Sequence, residues 1–481
     1  MTHTSTSAAA SPLTLDGARD QLAHALGARQ NVAVVHGFPS VLLWTEDSVP
    51  VDDILRQLAL DRAQGTARGI KLYVGTPYCP KTDPVKCGYC LFPVEDYTGM
   101  KDLTEYVGYV RREAALYQPF VAGDEVSNVF FGGGTANLYR ADVYAIQMDM
   151  VRSLFRIAPD ADVTLEGLPA LYTREKLLAA KTAGFNRISM GAQQMNDELN
   201  QLSGRRQSAR HVIQAIEWCH ELGLACNVDL IFGWPRQTVA TMVKDLEALV
   251  ATGVDDITHY ELHVGGPTDF AINRRHELPT TLQNLEMYRV SRDLLVASGF
   301  EQLTMYNWRR KGHATSYVEG AEHDFGGLRG LGIGYAALSS FVWNDPARDS
   351  WFYKNATSVA GYKQAIDEGR LPVERGYRAE PIDGRLAMLF RHLHAMCIHR
   401  PSYRATFGLD VRDELAPIWD ALEERELVAT DPDHIRVVGD GVFYTPTIQA
   451  MLAYHRSAEL RERMYRTNKK LVTIGSLLGG G

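Results

Sequence analysis

Between Gly69 and Glu261, short apolar runs alternate with longer stretches whose apolar positions recur every three or four residues. The short runs predict strands at Lys71–Val74, Asn128–Phe131, Asp162–Leu165, Arg187–Met190, Cys226–Ile231 and Ile257–Glu261. The longer stretches predict helices at Leu103–Tyr117, Ala141–Phe155, Thr173–Ala183, Ala209–Leu222 and Val239–Ala251. Strand–helix alternation implies a parallel sheet, because parallel strands need a crossover and helices supply it. The class is therefore α/β. Six units fall short of a closed eight-fold barrel, so an open, partial (β/α)6 barrel is expected, with function at the C-terminal ends of its strands. Residues 1–65 read as a tail and a helical preface, with Ile54, Leu58 and Leu60 at near-helical spacing in Val51–Ala63. The barrel is assigned to 66–300, a connecting extension to 301–380 and a small winged-helix-like module to 381–481. The extension contains the glycine-rich stretch Gly326–Gly334, and a helix is expected at Leu282–Ala297. The last module reads as two helices and then a strand pattern near Ile435–Tyr444.

Composition narrows the class without changing the picture. The chain has 481 residues, 45% hydrophobic and 22% charged, as in an ordinary globular protein. Fifty basic against 58 acidic residues give a net charge of −8, so nucleic acid is not expected as a partner. The C-terminal module mixes its charges and suits a lid or an interaction surface. No run of 18 apolar residues predicts a membrane span. The opening MTHTSTSAAASP lacks a charged n-region and an apolar h-region, so it reads as an unstructured tail and cytoplasmic placement is expected. The Gly479–Gly481 run also reads as unstructured. Six cysteines are too few for a disulfide scaffold.

Three of those cysteines follow the first strand: Cys79, Cys87 and Cys90, spaced C-x7-C-x2-C. Three thiolates on one loop can hold three irons of a [4Fe–4S] cluster and leave the fourth open. By themselves they also fit zinc or a chance grouping. Cys226 reads as a small core residue. The other strand ends carry motifs too. Strand two ends in Gly132-Gly133-Gly134-Thr135, strand three in Glu166, strand four in Gln193 with Arg205 twelve residues on, and strand five holds Asp229.

In this order and spacing the motifs resemble the radical S-adenosylmethionine (SAM) superfamily, and within it the HemN-like group. That group contains oxygen-independent coproporphyrinogen III oxidases, HemW-type haem chaperones and C-methyltransferases. The group's YxHxPFCxxxCxxC appears as YVGTPYC and CGYC, its GGGTP as GGGTA, its SMGVQ as SMGAQ, and its DLIYGLPxQT as DLIFGWPRQT. The likeness runs from about Lys71 to Gly334, and more weakly over the last module. It implies a [4Fe–4S] cluster on Cys79, Cys87 and Cys90, with SAM chelating the open iron. It implies that Gly132, Gly133, Gly134 and Thr135 receive the methionine moiety. Arg205 then takes its carboxylate, Glu166, Gln193 and Asp229 take ribose hydroxyls and the amino group, and Tyr73 lies near the sulfonium. Tyr89 and Ile231 align with positions that contact a second SAM molecule in the group. An electron donor such as flavodoxin or ferredoxin is implied as a partner.

The chain departs from the group at several points. Seven residues separate Cys79 from Cys87 where the group usually has three, and Gly75-Thr76 stand where it has His. The fourth cysteine of the oxidases is absent. The haem chaperones' His-Asn-x-x-Tyr-Trp appears as His313-Ala314-Thr315-Ser316-Tyr317-Val318. On the sixth strand, alternation aims His259, Glu261 and His263 to one side, expected to be the mouth, as substrate or acid–base residues. The reaction expected is reductive cleavage of SAM to a 5′-deoxyadenosyl radical. The specific reading is a C-methyltransferase or cyclopropane-forming enzyme using two SAM molecules, acting on a natural product or a tetrapyrrole. A decarboxylating oxidase of the coproporphyrinogen type and a haem chaperone are the alternatives.

Overall fold

All six expected strands form, and a helix follows each of the first five. The computed structural model describes residues 14–30, 37–65, 69–313, 329–343 and 348–467. Met1–Pro12, Tyr317, the first residues of the 326–334 stretch and Gly479–Gly481 lie outside them. The strands are β1 (Ile70–Thr76), β2 (Asp124–Gly133), β3 (Phe155–Gly167), β4 (Arg187–Gln193), β5 (Ala225–Phe232) and β6 (Asp256–Glu261). The preface supplies α1 (Leu15–Gly27) and α2 (Val51–Ala63). The crossovers are α3 (Met100–Val121), α4 (Ala141–Leu154), α5 (Arg174–Ala183), the short α6 (Asp197–Gln201) with α7 (Ala209–Leu222), and α8 (Val239–Val250). Local chemistry sets the helix ends. Thr173 and Thr238 accept N-cap hydrogen bonds from Lys176 and Thr241, and Gly184 and Gly223 close α5 and α7 in left-handed conformation.

Strands β1 to β6 pair in parallel in chain order. Their two faces differ sharply. Leu165, Ile188, Met190, Val228, Leu230 and Ile257 point outward, buried against the helices. Each such side chain contributes about 1.5–3 kcal/mol. The inward positions between them are polar: Arg187, Ser189, Asn227, Asp229 and Thr258. Register stacks these into rows, with Glu166 beside Ser189 beside Asn227, and Gly191 beside Asp229 beside Thr258.

The sheet is wider than six strands. After β7 (Phe300–Gln302) and β8 (Asn307–Arg310), β9 (Arg329–Gly334) pairs in parallel with β1 as a seventh parallel strand. An antiparallel extension, β10 (Leu338–Phe341), β11 (Ser350–Asn355) and β12 (Val373–Ala379), continues beyond it. The order is β12-β11-β10-β9-β1-β2-β3-β4-β5-β6-β8-β7, an open sheet with two edges. Glycines disguise β9 in the sequence. A Cβ on Gly332 would stand 2.5 Å from the Leu338 carbonyl oxygen, so close strand approach there requires glycine.

Past β12, helices Pro381–His394, Ala416–Glu424 and Thr445–Leu452 surround a three-stranded antiparallel sheet with His434–Val437 at its centre. The strand expected across Ile435–Tyr444 stops at Val437. A Cβ on Gly441 would meet the Leu427 carbonyl oxygen at 1.9 Å, so the chain turns there and leaves as a helix. The preface α1 packs on Ala416–Glu424, with Arg19 paired to Glu424 at 2.5 Å. Among the described residues, no helix is long and apolar enough to cross a membrane.

Candidate functional site

The cysteine loop leaves β1 at Thr76 and folds back on itself. Tyr78–Cys79 pairs with Glu95–Asp96. Thr82 closes the long insert: its Oγ1 donates to the Pro84 carbonyl at 2.8 Å and accepts from the Cys87 N–H at 2.9 Å. Lys86, Cys87 and Gly88 are all left-handed, which turns the chain sharply toward Cys90. The insert rests on the turn before Arg205, where a Cβ on Gly204 would lie 2.2 Å from the Asp83 carbonyl oxygen. The seven-residue spacing is thus taken up by a folded turn, and the three thiols are brought within range of one another's charge.

All three cysteines are free and partly exposed. The Thr135 hydroxyl lies 3.3 Å from Cys79 Sγ, and Arg205 Nε donates to Cys87 Sγ at 3.3 Å. Desolvation pushes the Cys79 thiol up to about 11 and raises Cys90 as well. A bound metal reverses that preference, because coordination deprotonates a thiol. Cys219 and Cys226 are buried elsewhere, and Cys397 lies in the last module. The donor set is therefore three sulfurs, which fits a cluster with one iron left open.

The strand ends surround this loop. Gly133 is left-handed, and a Cβ there would stand 2.8 Å from the Thr76 carbonyl oxygen. A Cβ on Gly134 would stand 2.5 Å from that of Tyr78, and one on Gly132 would meet Glu166 Oε2 at 2.3 Å. The protein's own atoms exclude a side chain at all three positions, so only glycine lets the end of β2 pack this closely against Thr76, Tyr78 and Glu166. Glu166 keeps part of its surface open and accepts from the Gly133 N–H. Desolvation, with Asp229 nearby, pushes its carboxyl up to about 8. Asp229, also partly open, is raised by desolvation while the Asn227 amide donates to it. Arg205 donates to the Gly191 carbonyl at 2.7 Å. Desolvation alone would lower its pKa, but Tyr89 and Cys87 outweigh that and raise it. Gln193 sits in left-handed backbone at a bulge, its Nε2 2.8 Å from where a Gly191 Cβ would be. Tyr73 stacks on Phe130, with centroids 6.1 Å apart, and its hydroxyl faces Gly133.

Tyr89 and Ile231 meet in an apolar wall beside Cys87 and Cys90, together with Trp234, Leu262 and Phe270. Tyr89 contacts the Trp234 ring edge-on at 5.0 Å.

His259 and Glu261 require a correction. They do not face the mouth. They share the outward face with Ile257, while Thr258 and Tyr260 point inward beside Asp229 and Ile231. His259 packs on Phe232 at 4.8 Å, and burial lowers its pKa to about 3. Glu261 accepts from Asn284 at 2.8 Å and Gln30 at 3.0 Å, and burial raises it to about 7. Neither side chain reaches the cysteine loop. Further along, His263 Nε2 lies 3.3 Å from the Tyr306 hydroxyl.

Asn227 was not anticipated. Its amide donates to Asp229 at 2.7 Å and to Ser189 at 3.0 Å, and its Oδ1 accepts from Thr258 at 3.0 Å. Its place two residues before Asp229 on a strand was the available signal.

Residues 73–249 match the model of the radical SAM superfamily. The chain is 31% identical to the bovine "Radical S-adenosyl methionine domain-containing protein 1, mitochondrial" over 298 residues, 58% of this chain and 62% of that protein. It is 32% identical to the heme chaperone HemW of Synechocystis over 251 residues, 50% of this chain and 59% of that one. It is 26% identical to the oxygen-independent coproporphyrinogen III oxidase of Escherichia coli over 322 residues, 64% and 68%. The matched region thus spans about three fifths of the length of the first two relatives. The solved structure of the E. coli coproporphyrinogen III oxidase, HemN, superposes with a TM-score of 0.74 at 22% identity, covering 89% of this chain and 99% of that one. The fold is shared along almost the whole of that protein.

Proposed function

We propose, from the match of residues 73–249 to the radical SAM superfamily and the HemN-like relatives, a radical SAM enzyme with a [4Fe–4S] cluster that methylates carbon or forms a cyclopropane on a natural product or a tetrapyrrole, using two SAM molecules. Cys79, Cys87 and Cys90 would hold the cluster, which when bound would supply the electron for reductive cleavage of SAM.

The observation that carries this reading is the set of complementary polar groups around the loop. Arg205 stands at Cys87, and the partly open carboxyls of Glu166 and Asp229 stand across from it. SAM presents the complementary set: a carboxylate, an ammonium and ribose hydroxyls. The planar fork of Arg205 fits the carboxylate. Glu166 and Asp229 accept from the hydroxyls and the ammonium, and Gln193 adds a further polar contact. Gly132–Gly134 let the end of β2 pack tightly against Thr76 and Tyr78 and so set the loop beside which the methionine chain lies, and the Thr135 hydroxyl contacts the Cys79 sulfur. Tyr73 flanks the sulfonium. Tyr89, backed by the buried rings of Trp234 and Phe270, borders the second SAM molecule together with Ile231.

Product analysis tests the reading. Reconstituted protein with SAM, reductant and candidate substrates yields both 5′-deoxyadenosine and S-adenosylhomocysteine. Carbon dioxide without S-adenosylhomocysteine points instead to the decarboxylating alternative. A second reading, a haem chaperone, is favoured by the retained His313 and the HemW relative. A haem titration with no Soret shift removes it.

A further inference from the structure

A second set of metal-ligating side chains lies at the opposite end of the parallel strands. Cys226 is the second residue of β5, Asp255 immediately precedes β6, and His220 is in the last turn of α7. Cys226 Sγ is 3.8 Å from His220 Nε2, and His220 Nε2 is 3.7 Å from Asp255 Oδ2. The three ligand atoms all lie within 4.8 Å of one another. Ligands at zinc's bond lengths in a tetrahedron stand about 3.3–3.8 Å apart, so a small contraction would close the set on one ion. Cys226 is fully buried and forms the floor, while the His220 side chain is 37% exposed and leaves an entry path from solvent. His313 Nδ1 holds the other Asp255 oxygen at 3.1 Å, and the Cys226 N–H donates to Oδ2 at 2.8 Å. Partners of this kind orient a ligating carboxylate.

We propose that His220, Cys226 and Asp255 bind one zinc ion, with water in the fourth position and His313 orienting Asp255. The ion clips the end of α7 to the starts of β5 and β6. It is separate from the cysteine loop in place and in donor chemistry: one sulfur, one nitrogen and oxygens against three sulfurs. Binding displaces the Cys226 thiol proton to solvent.

The test uses the full chain with its iron–sulfur cluster reconstituted, exposed to zinc chloride and then desalted. Elemental analysis is expected to find about one zinc per chain beside the iron, and zinc X-ray absorption one sulfur with lighter neighbours. His220→Gln, a half-exposed substitution, is expected to lose the zinc while iron content stays unchanged. His313→Gln is expected to weaken zinc binding about 10–100-fold. No retained zinc, zinc surrounded by several sulfurs, or zinc retained equally by His220→Gln would each overturn the proposal.

Discussion

Glu166 and Glu261 invite comparison because so much about them is alike. Each stands near the C-terminal end of a parallel strand, and desolvation raises each carboxyl, to about 8 and about 7. They differ in which face of the sheet they occupy. Glu261 points outward, is 6% exposed, and has both oxygens bonded by the amides of Gln30 and Asn284. Glu166 points inward, keeps open surface, and has a backbone N–H, a second carboxyl and Arg205 around it. A raised pKa alone therefore does not mark a functional carboxylate. Glu261 belongs to a closed structural network, whereas Glu166 keeps surface open beside Arg205 and the cysteine loop, where the proposed SAM site lies.

The largest effect is expected at the loop on which the inner face converges. Cys87→Ala should lose iron from the reconstituted protein and lower 5′-deoxyadenosine formation by about 1,000-fold or more, read by iron content and chromatography. Next comes Arg205→Gln, which removes the fork beside Cys87 and should weaken SAM binding by about 2–5 kcal/mol in equilibrium dialysis. The two glutamates then separate. Glu166→Gln should weaken SAM binding about tenfold, while Glu261→Gln should change it by less than about twofold. Stability should respond the other way at Glu261. Its folded pKa lies above the ordinary 4.5, so its contribution is fully present below pH 4.5 and is lost as pH rises through 7. Urea unfolding at pH 5 and pH 8 should show a loss on the order of 3 kcal/mol from this group in the wild type, absent in Glu261→Gln. The smallest effect on chemistry is expected at His259. His259→Gln should lower Tm through lost packing on Phe232 and leave 5′-deoxyadenosine formation per folded chain within about twofold.

Much of this architecture was legible in the chain. The strands showed as apolar runs, and Thr173, Thr238, Gly184 and Gly223 marked helix ends by ordinary cap chemistry. The motifs at the strand ends pointed to the superfamily whose model residues 73–249 match, because five of them stand in order. The sixth strand was misread because alternation divides residues between two faces without saying which face is the core. Ile257 carried that information: His259 and Glu261 share its parity and so its burial, while Thr258 shares the side of Asn227 and Asp229. The seventh parallel strand was hidden because Gly330, Gly332 and Gly334 remove the apolar signal where strands pack closely. The Glu261 partner Gln30 is 231 residues away in sequence, beyond any local pattern. The fit of the wide cysteine spacing rests on Thr82 and Gly204, whose roles exist only once the loop is folded.

The most direct test of the inner-face assignment is the amount of 5′-deoxyadenosine formed by anaerobically reconstituted wild type, Glu166→Gln and Glu261→Gln, at a SAM concentration below saturation and normalised to iron. Product in the wild type, about tenfold less in Glu166→Gln and nearly as much in Glu261→Gln is the predicted result. Equal loss in both variants, or loss confined to Glu261→Gln, would contradict the placement of SAM on the inner face beside Cys79, Cys87 and Cys90.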